Sequence, residues 1–334
     1  MDDTIIGGFK KDIDNFMNEF EKHLKIERLG RMKKHLGVWW EWGKEDNGDT
    51  FLTASMPKMV EEISEAFKKA TGRKAKAANT PGFPGQMLKK KLDESDPVML
   101  TEYRSLVGKL LYYTTKIGPE MANAVRDLSS HMSNPGAEHW KALERCVGYL
   151  TNLDKEIQGL TFRRPKKIQS ISFADSDYAK CEETRKSISG MINTLGGMLT
   201  NWRSGKQDIV SLSSSESEYI AYCICCQEAL YMYYLLTELL WWEIPTGIIY
   251  EDNQGCIFLI KNQTIGQRTK HIDVRYHFSR EKFEAGLVEP RFCRSEDQYA
   301  DGMTKNQPDT LFRKHRDKIR KGNLESQRED VKPG

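Results

Sequence analysis

The sequence predicts an α/β protein in which helices are layered on a mixed sheet, preceded by a mainly helical segment with one hairpin. Three observations carry this. Three strand-like runs, Ile168 to Tyr178, Ile188 to Leu195 and Met198 to Trp202, lead into one long helical run from Ser215 to Leu240. Strands and helices then alternate, an order that suits a mixed sheet with packed helices. Before residue 165 the apolar residues recur mostly at helical spacing.

Taken in order, Asp12 to Leu29 carries Ile13, Phe16, Phe20 and Leu24 three and four residues apart, and Pro57 to Ala70 repeats this with Met59, Ile63 and Phe67 behind a proline start. Both predict amphipathic helices. Between them aromatic and polar residues alternate around Asn47-Gly48, which predicts a hairpin. Ala75 to Pro97, with Pro81-Gly82, Pro84-Gly85 and a triple lysine at 89–91, reads as a linker or long loop. Helical spacing returns at Tyr103 to Thr115, Glu120 to Met132 and Glu138 to Leu153. The basic run Arg163-Arg164-Pro165-Lys166-Lys167 then predicts a boundary. The expected domains are therefore 1–165 and 166–318, with a charged tail at 319–334 expected to be disordered. Beyond the long helix the pattern gives a strand Gly247 to Glu251, a helix from Gln254, a helix Asp273 to Ala285, a strand Leu287 to Cys293 and a last helix near Gln298.

With 334 residues the chain is long enough for two cores. Hydrophobic residues at 38%, charged residues at 30% and a mean hydropathy of -0.64 exclude the membrane and disordered classes. No signal-peptide pattern opens the chain, and its most apolar stretch, Tyr219 to Trp242, is interrupted by Gln227, Glu228 and Glu238, so no segment is expected to span a bilayer. The formal charge of +3 is nearly balanced, so any affinity for nucleic acid must come from where the basic residues lie. Seven cysteines form an odd set without paired C-x-x-C spacing, which predicts reduced thiols and an intracellular protein.

Acidic residues stand at the edges of several core elements. In "FADSDYA" Asp175 and Asp177 lie two positions apart on a strand and so face the same way, with Ser176 opposite. Asp252, in "YEDNQGC", ends a strand and would point out at its carboxyl edge, where open α/β sheets place their sites. Glu218 in the first turns of the long helix and Asp301 on the last helix could close over the same end. Four carboxylates converging in a partly dry cleft repel one another and hold protons unless cations neutralise them. Such oxygen ligands suit Mg²⁺ or Mn²⁺, and a pair of these ions activates water for phosphodiester cleavage. Acids at strand ends and helix starts also serve as ordinary caps and loop residues, so spacing alone leaves both readings open.

The stretches "FADSDYA", "RKSISGMINTLGGMLTNWRSGKQDIVSLSSSESEYIA", "YEDNQGCI", "RTKHIDVRYHFSREK" and "SEDQYADGMTK" together resemble the ribonuclease H domain of copia-type LTR retrotransposon polyproteins over roughly Ile168 to Asp317. The preceding segment is similar to the end of the same family's reverse transcriptase: "MDDTIIGG" resembles the close of its Y-x-D-D motif, and "YRSLVGKLLYYTTKIGPEMANAVRDLSSHMSNPGAEHWKALERCVGYL" its connection region. The resemblance implies a ribonuclease H-like mixed five-stranded sheet with helices on both faces, preceded by a palm remnant, thumb and connection. It implies catalysis by Asp175, Glu218, Asp252 and Asp301, which would hold two Mg²⁺ or Mn²⁺ ions and cleave the RNA strand of an RNA–DNA hybrid. Glu216 remains an alternative to Glu218, and Asp177 is a neighbour that adds negative field. Arg185, Lys186, Arg203, Lys206, Arg268, Lys270 and Arg275 are candidate phosphate partners, although each could equally be a solvated charge. The implied setting is a virus-like particle in the cytoplasm, or the nucleus, with the missing polymerase half as partner.

Several features depart from the pattern. The upstream palm aspartate, the fingers and the nucleotide pocket of a reverse transcriptase would all precede Met1, so DNA synthesis by this chain alone is not expected. The loop before the last acid, "VEPRFCRSEDQ", has no histidine, and His271 and His277 read as structural. Trp202 reads as core rather than a base-stacking platform. A non-catalytic nucleic-acid-binding relic is the alternative reading of the whole.

Overall fold

The computed structural model describes residues 4–93, 96–154, 157–240, 243–262 and 273–324, with the side chains of 273–276 excepted. The first part opens with α1 (Lys10–Phe20), β1 (Lys34–His35), β2 (Val38–Lys44), β3 (Thr50–Ser55) and α2 (Pro57–Thr71). Strands β2 and β3 are joined across Asn47-Gly48, where Gly48 takes a φ of 87°, as the hairpin signal predicts. Proline opens α2 at its first turn and Gly72, at φ 73°, ends it in the left-handed conformation that glycine adopts without a Cβ penalty. Helix α1 stops at Phe20 rather than reaching Leu29 as expected. Leu24 and Leu29 lie exposed, so no burial rewards further turns.

Three helices follow the linker: α3 (Leu100–Lys116), α4 (Ala122–Ser129) and α5 (Ala137–Thr151). The expected helix from Glu120 begins instead as a single 3₁₀ turn, Pro119–Met121. Glycine lets the linker lie directly on α5, because a Cβ on Gly148 would stand 1.8 Å from the carbonyl oxygen of Lys76. Strand β4 (Leu160–Arg163), which the basic run concealed, returns to pair with β3 and completes a four-stranded antiparallel sheet, order β1-β2-β3-β4.

The second sheet contains β5 (Ser170–Asp177), β6 (Ile188–Leu195), β7 (Met198–Lys206), β8 (Gly247–Glu251) and β9 (Val288–Phe292), in the order β7-β6-β5-β8-β9. Strands β7, β6 and β5 are antiparallel neighbours, whereas β8 runs parallel to β5 and β9 parallel to β8. This is the mixed five-stranded sheet the sequence predicts. Helix α6 (Ser214–Leu240) covers one face with α7 (Gln254–Lys261) and α8 (Asp273–Glu284) beside it. The other face carries α9 (Asp301–Thr304) and the first part's helices. In place of one last helix near Gln298 the chain forms α9 and then α10 (Asp309–Arg320).

Alternation along the central strands sorts their side chains between two cores. Phe173, Ile248 and Tyr250 join a core shared with Tyr299, Met303 and the first part's helices. Ala174 and Ile249 instead meet Tyr219, Tyr222, Cys225 and Cys226 of α6. All seven cysteines are free and buried, as small core residues. Trp202 is half-buried and its Nε1–H donates to the Thr114 carbonyl at 2.9 Å, tying β7 to α3. Among the described residues no helix is long and apolar enough to cross a membrane.

Candidate active site at the carboxyl edge of the mixed sheet

The site forms where β5 and β8 end side by side. Asp175 shares the parity of Phe173 and so faces α9, while Ser176 faces α6, where its hydroxyl lies 2.7 Å from that of Ser217. Glu251 shares the parity of Ile249 and so faces α6; Asp252 lies one residue beyond the strand end. The acids accordingly gather in two groups. Asp175, Asp252 and Asp301 offer oxygens all within 4.8 Å of one another, and so do Glu218, Glu251 and Asp252. Asp252 belongs to both.

Neighbouring donors fix this arrangement. The Thr304 hydroxyl donates to Asp175 Oδ2, and the Ser295 hydroxyl donates to Asp252 Oδ2 at 2.7 Å. Gln298 Nε2 donates to the Ala174 carbonyl at 2.7 Å, pinning the segment before α9 to β5. Lys305 Nζ pairs with Asp301 Oδ1 at 2.8 Å and also interacts with the charges of Asp175 and Asp252. At the start of α6 Glu216 accepts the Leu212 N–H at 2.9 Å, while Glu218, two residues on, reaches Glu251 and Asp252. Asp177 is half-buried and pairs with Lys180 at 3.1 Å.

Gly190 makes the approach of α9 feasible. It pairs with Asp175 across β5 and β6, and a Cβ there would lie 2.7 Å from both Met303 Cβ and Thr304 Cγ2 and 2.9 Å from the Ala300 carbonyl oxygen. Gly190→Ala is therefore expected to lift α9 and cost about 1–3 kcal/mol through overpacking. A urea midpoint equal to that of the wild type would refute this.

Burial dominates the electrostatics. It pushes the Asp175 carboxyl up to about 8, aided by the charge of Asp301 and opposed by Lys305 and Thr304. Glu218 stands well above the usual carboxylate range through burial and then the neighbouring Glu251 and Asp175. Glu251 does so through burial, opposed by the Asn253 N–H. Asp301 is raised by burial in spite of Lys305. Glu218 Oε2 and Glu251 Oε2 are buried with no hydrogen-bond partner. A crowded set of oxygen donors that retains protons for want of a counter-charge, with buried oxygens left unsatisfied, fits hard divalent cations such as Mg²⁺ or Mn²⁺.

Four of the candidate cations line the same end of the sheet. Arg185 and Lys186 lie in the turn between β5 and β6, the first exposed and the second half-exposed. Register places Lys206 beside Ile188 and Arg203 beside Met191 on edge strand β7. Lys206 Nζ also donates to Cys181 Sγ at 3.2 Å. Arg268 and Lys270 lie outside the described residues, as does the side chain of Arg275.

No protein-family model matches the chain. It is 30% identical over 318 residues to the retrovirus-related Pol polyprotein from transposon TNT 1-94 of Nicotiana tabacum, a match that covers 93% of this chain and 23% of that polyprotein. It is 33% identical over 249 residues to the corresponding polyprotein from transposon RE1 of Arabidopsis thaliana, covering 73% of this chain and 16% of the relative. The chain belongs to the Pol polyproteins of copia-type retrotransposons. It spans less than a quarter of the length of these relatives. Among solved structures it is similar to LC11-RNase H1, isolated from compost by a metagenomic approach, with a TM-score of 0.32 and 13% identity over 41% of this chain and 94% of that one. Within this Pol family segment, sequence reasoning missed Glu251, Ser295, Thr304 and Lys305. Glu251 adjoins a predicted site residue, and that adjacency was its one available signal.

Proposed function

We propose that this chain hydrolyses the RNA strand of an RNA–DNA hybrid with two divalent cations, as the ribonuclease H part of a retrotransposon Pol polyprotein. The observation that carries this reading is the gathering of Asp175, Glu218, Asp252 and Asp301, from four separate elements, at one carboxyl edge of a ribonuclease H-like sheet. These four residues would hold Mg²⁺ or Mn²⁺, which when bound supplies Lewis acidity and a water of lowered pKa.

The chain's own residues do the rest. Thr304 and Ser295 orient the carboxylates of Asp175 and Asp252 by donating to one oxygen of each. Lys305 offsets part of the negative field that would otherwise repel a phosphate backbone. Arg185, Lys186, Arg203 and Lys206 contact phosphates along the sheet edge and set the duplex in register, with Arg268, Lys270 and Arg275 as further candidates. Recognition of 2′-hydroxyls selects the RNA strand. The other segments of the Pol polyprotein are the proposed partners, and the proposed setting is intracellular.

The test uses end-labelled RNA annealed to DNA, beside the same RNA in an RNA duplex and the same sequence as duplex DNA. The expected result is Mg²⁺- or Mn²⁺-dependent cleavage of the hybrid's RNA strand, leaving a 3′-hydroxyl and a 5′-phosphate, abolished by a chelator. Binding of the hybrid without cutting under either ion would overturn the reading in favour of a non-catalytic nucleic-acid-binding fragment.

A further inference from the structure

Four acids suffice for the site described above, yet a fifth is built into it. Glu251 ends β8 and is 0% exposed, the most deeply buried carboxylate of the cleft. Its Oε1 accepts the Asn253 N–H at 3.0 Å, and its Oε2 has no hydrogen-bond partner. Burying a carboxylate oxygen without a partner costs several kcal/mol, roughly the penalty of an unsatisfied polar group or more. A purely structural role at the strand end is met by Oε1 alone and leaves Oε2 without a purpose.

We infer that Glu251 is a cation ligand, forming with Glu218 and Asp252 a cation position on the α6 side of the sheet, next to a second position formed by Asp175, Asp252 and Asp301 on the α9 side. The inference rests on the cation-binding reading of the cleft and adds to it a specific division of ligands. The spread of 4.8 Å within each group suits oxygens about 2.0–2.6 Å from a shared Mg²⁺, Mn²⁺ or Ca²⁺. Strand parity supplies the reason for the division. Glu251 follows Ile249 towards α6, where Glu218 also lies with an unpartnered buried oxygen of its own, whereas Asp175 follows Phe173 towards α9. Asp252, just past the strand end, is common to both sides. A third anionic oxygen on the α6 side gives that position more charge than Glu218 and Asp252 alone, and ligand charge count is what tunes affinity at such sites.

The experiment is calorimetric titration of the full chain with Mn²⁺ in the absence of nucleic acid, so its readout does not depend on cleavage. Wild type is expected to bind two ions. Glu251→Gln keeps the shape and the Oε1 acceptor for Asn253 but removes the charge. It is expected to lose one of the two positions, or to weaken it by at least roughly tenfold, and to keep the other. Glu251→Asp keeps the charge but withdraws the oxygen by one methylene, and should weaken the same position; it serves if the Gln variant does not fold. A titration of Glu251→Gln superimposable on that of the wild type would overturn the inference and leave the proposed function standing. Absence of any Mn²⁺ binding by wild type would overturn both. Two ions in wild type, one in Glu251→Gln and no hybrid cleavage by wild type would uphold the ligand role and overturn the proposed function.

Discussion

Asp252→Asn and Asp175→Asn are each expected to lower hybrid cleavage at least about a thousandfold while making the metal-free protein more stable. The first effect follows from position. Asp252 is shared between both groups of acids, and Asp175, buried on the central strand β5, accepts the Thr304 hydroxyl in the α9 group. Losing such a ligand removes several kcal/mol of transition-state charge stabilisation, and each 1.36 kcal/mol is a factor of ten in rate. The second effect comes from the same crowding. Asp175, Glu218, Glu251 and Asp301 are all held above the usual carboxylate range by burial, Asp175 at about 8. The folded protein therefore retains protons that the unfolded chain releases, and its stability falls as pH rises from the ordinary carboxylate range through about 8. Below that window the contribution is fully present. Without divalent ions the melting temperature of wild type should decline across this range, and Mg²⁺ or Mn²⁺ should restore it at the upper end by binding the folded state. Asp175→Asn, which has no carboxyl to ionise there, should flatten the decline. Melting curves with a chelator at several pH values check this, and a wild-type stability that rises across the window would refute it.

The legible parts of the fold and site were those with a strong local period or a terminal signal. The hairpin at Asn47-Gly48 and the strands at 170–177 and 188–195 follow from turn chemistry and from apolar runs of strand length. Parity on β5 puts Asp175 on the face opposite Ser176, and the start of α6 confines the choice to Glu216 or Glu218. That the Asp175 face is the α9 side is shown by the structure alone. What escaped was decided by tertiary contact. Strand β4 has four residues and ends in Arg163, so its sequence reads as basic punctuation; only the exposed edge of β3 makes it a strand. Helix α9 also has four residues, too short for periodicity, and so the roles of Thr304 and Lys305 depend on the packing that Gly190 permits. Glu251 was hidden for another reason. Alternation assigns it to the face opposite Tyr250, and only the arrival of α6 with Glu218 turns that face into part of the site.

Arg320→Met is expected to destabilise the protein by about 3–5 kcal/mol, the cost of leaving a buried charge without its partner. Arg320, in the last turn of α10, is 1% exposed. Its Nη2 donates to Glu120 Oε1 at 2.6 Å and to the Tyr113 hydroxyl at 3.4 Å, and the Tyr149 hydroxyl donates to the same Glu120 oxygen at 3.2 Å. Phe312 of α10 meets Tyr149 edge-on, with ring centroids 5.5 Å apart. This ion pair and this aromatic contact help dock α10 onto α3, α5 and the turn between α3 and α4, beside the bonds of Lys314 and His315 to the segment before α9. The pair is imperfectly satisfied, since Arg320 Nε and Nη1 and Glu120 Oε2 have no hydrogen-bond partner. Joint replacement, Glu120→Gln with Arg320→Met, should accordingly recover most of the loss, because desolvation of two charges is then avoided. A double-mutant cycle on urea midpoints measures the coupling. Single variants as stable as wild type would show that the pair contributes nothing. The consequence reaches the site, because only residues 305–308 separate α9 from α10. An undocked α10 removes the anchor just beyond Asp301 and Thr304, so Arg320→Met should also weaken Mn²⁺ binding, and the double variant should restore it.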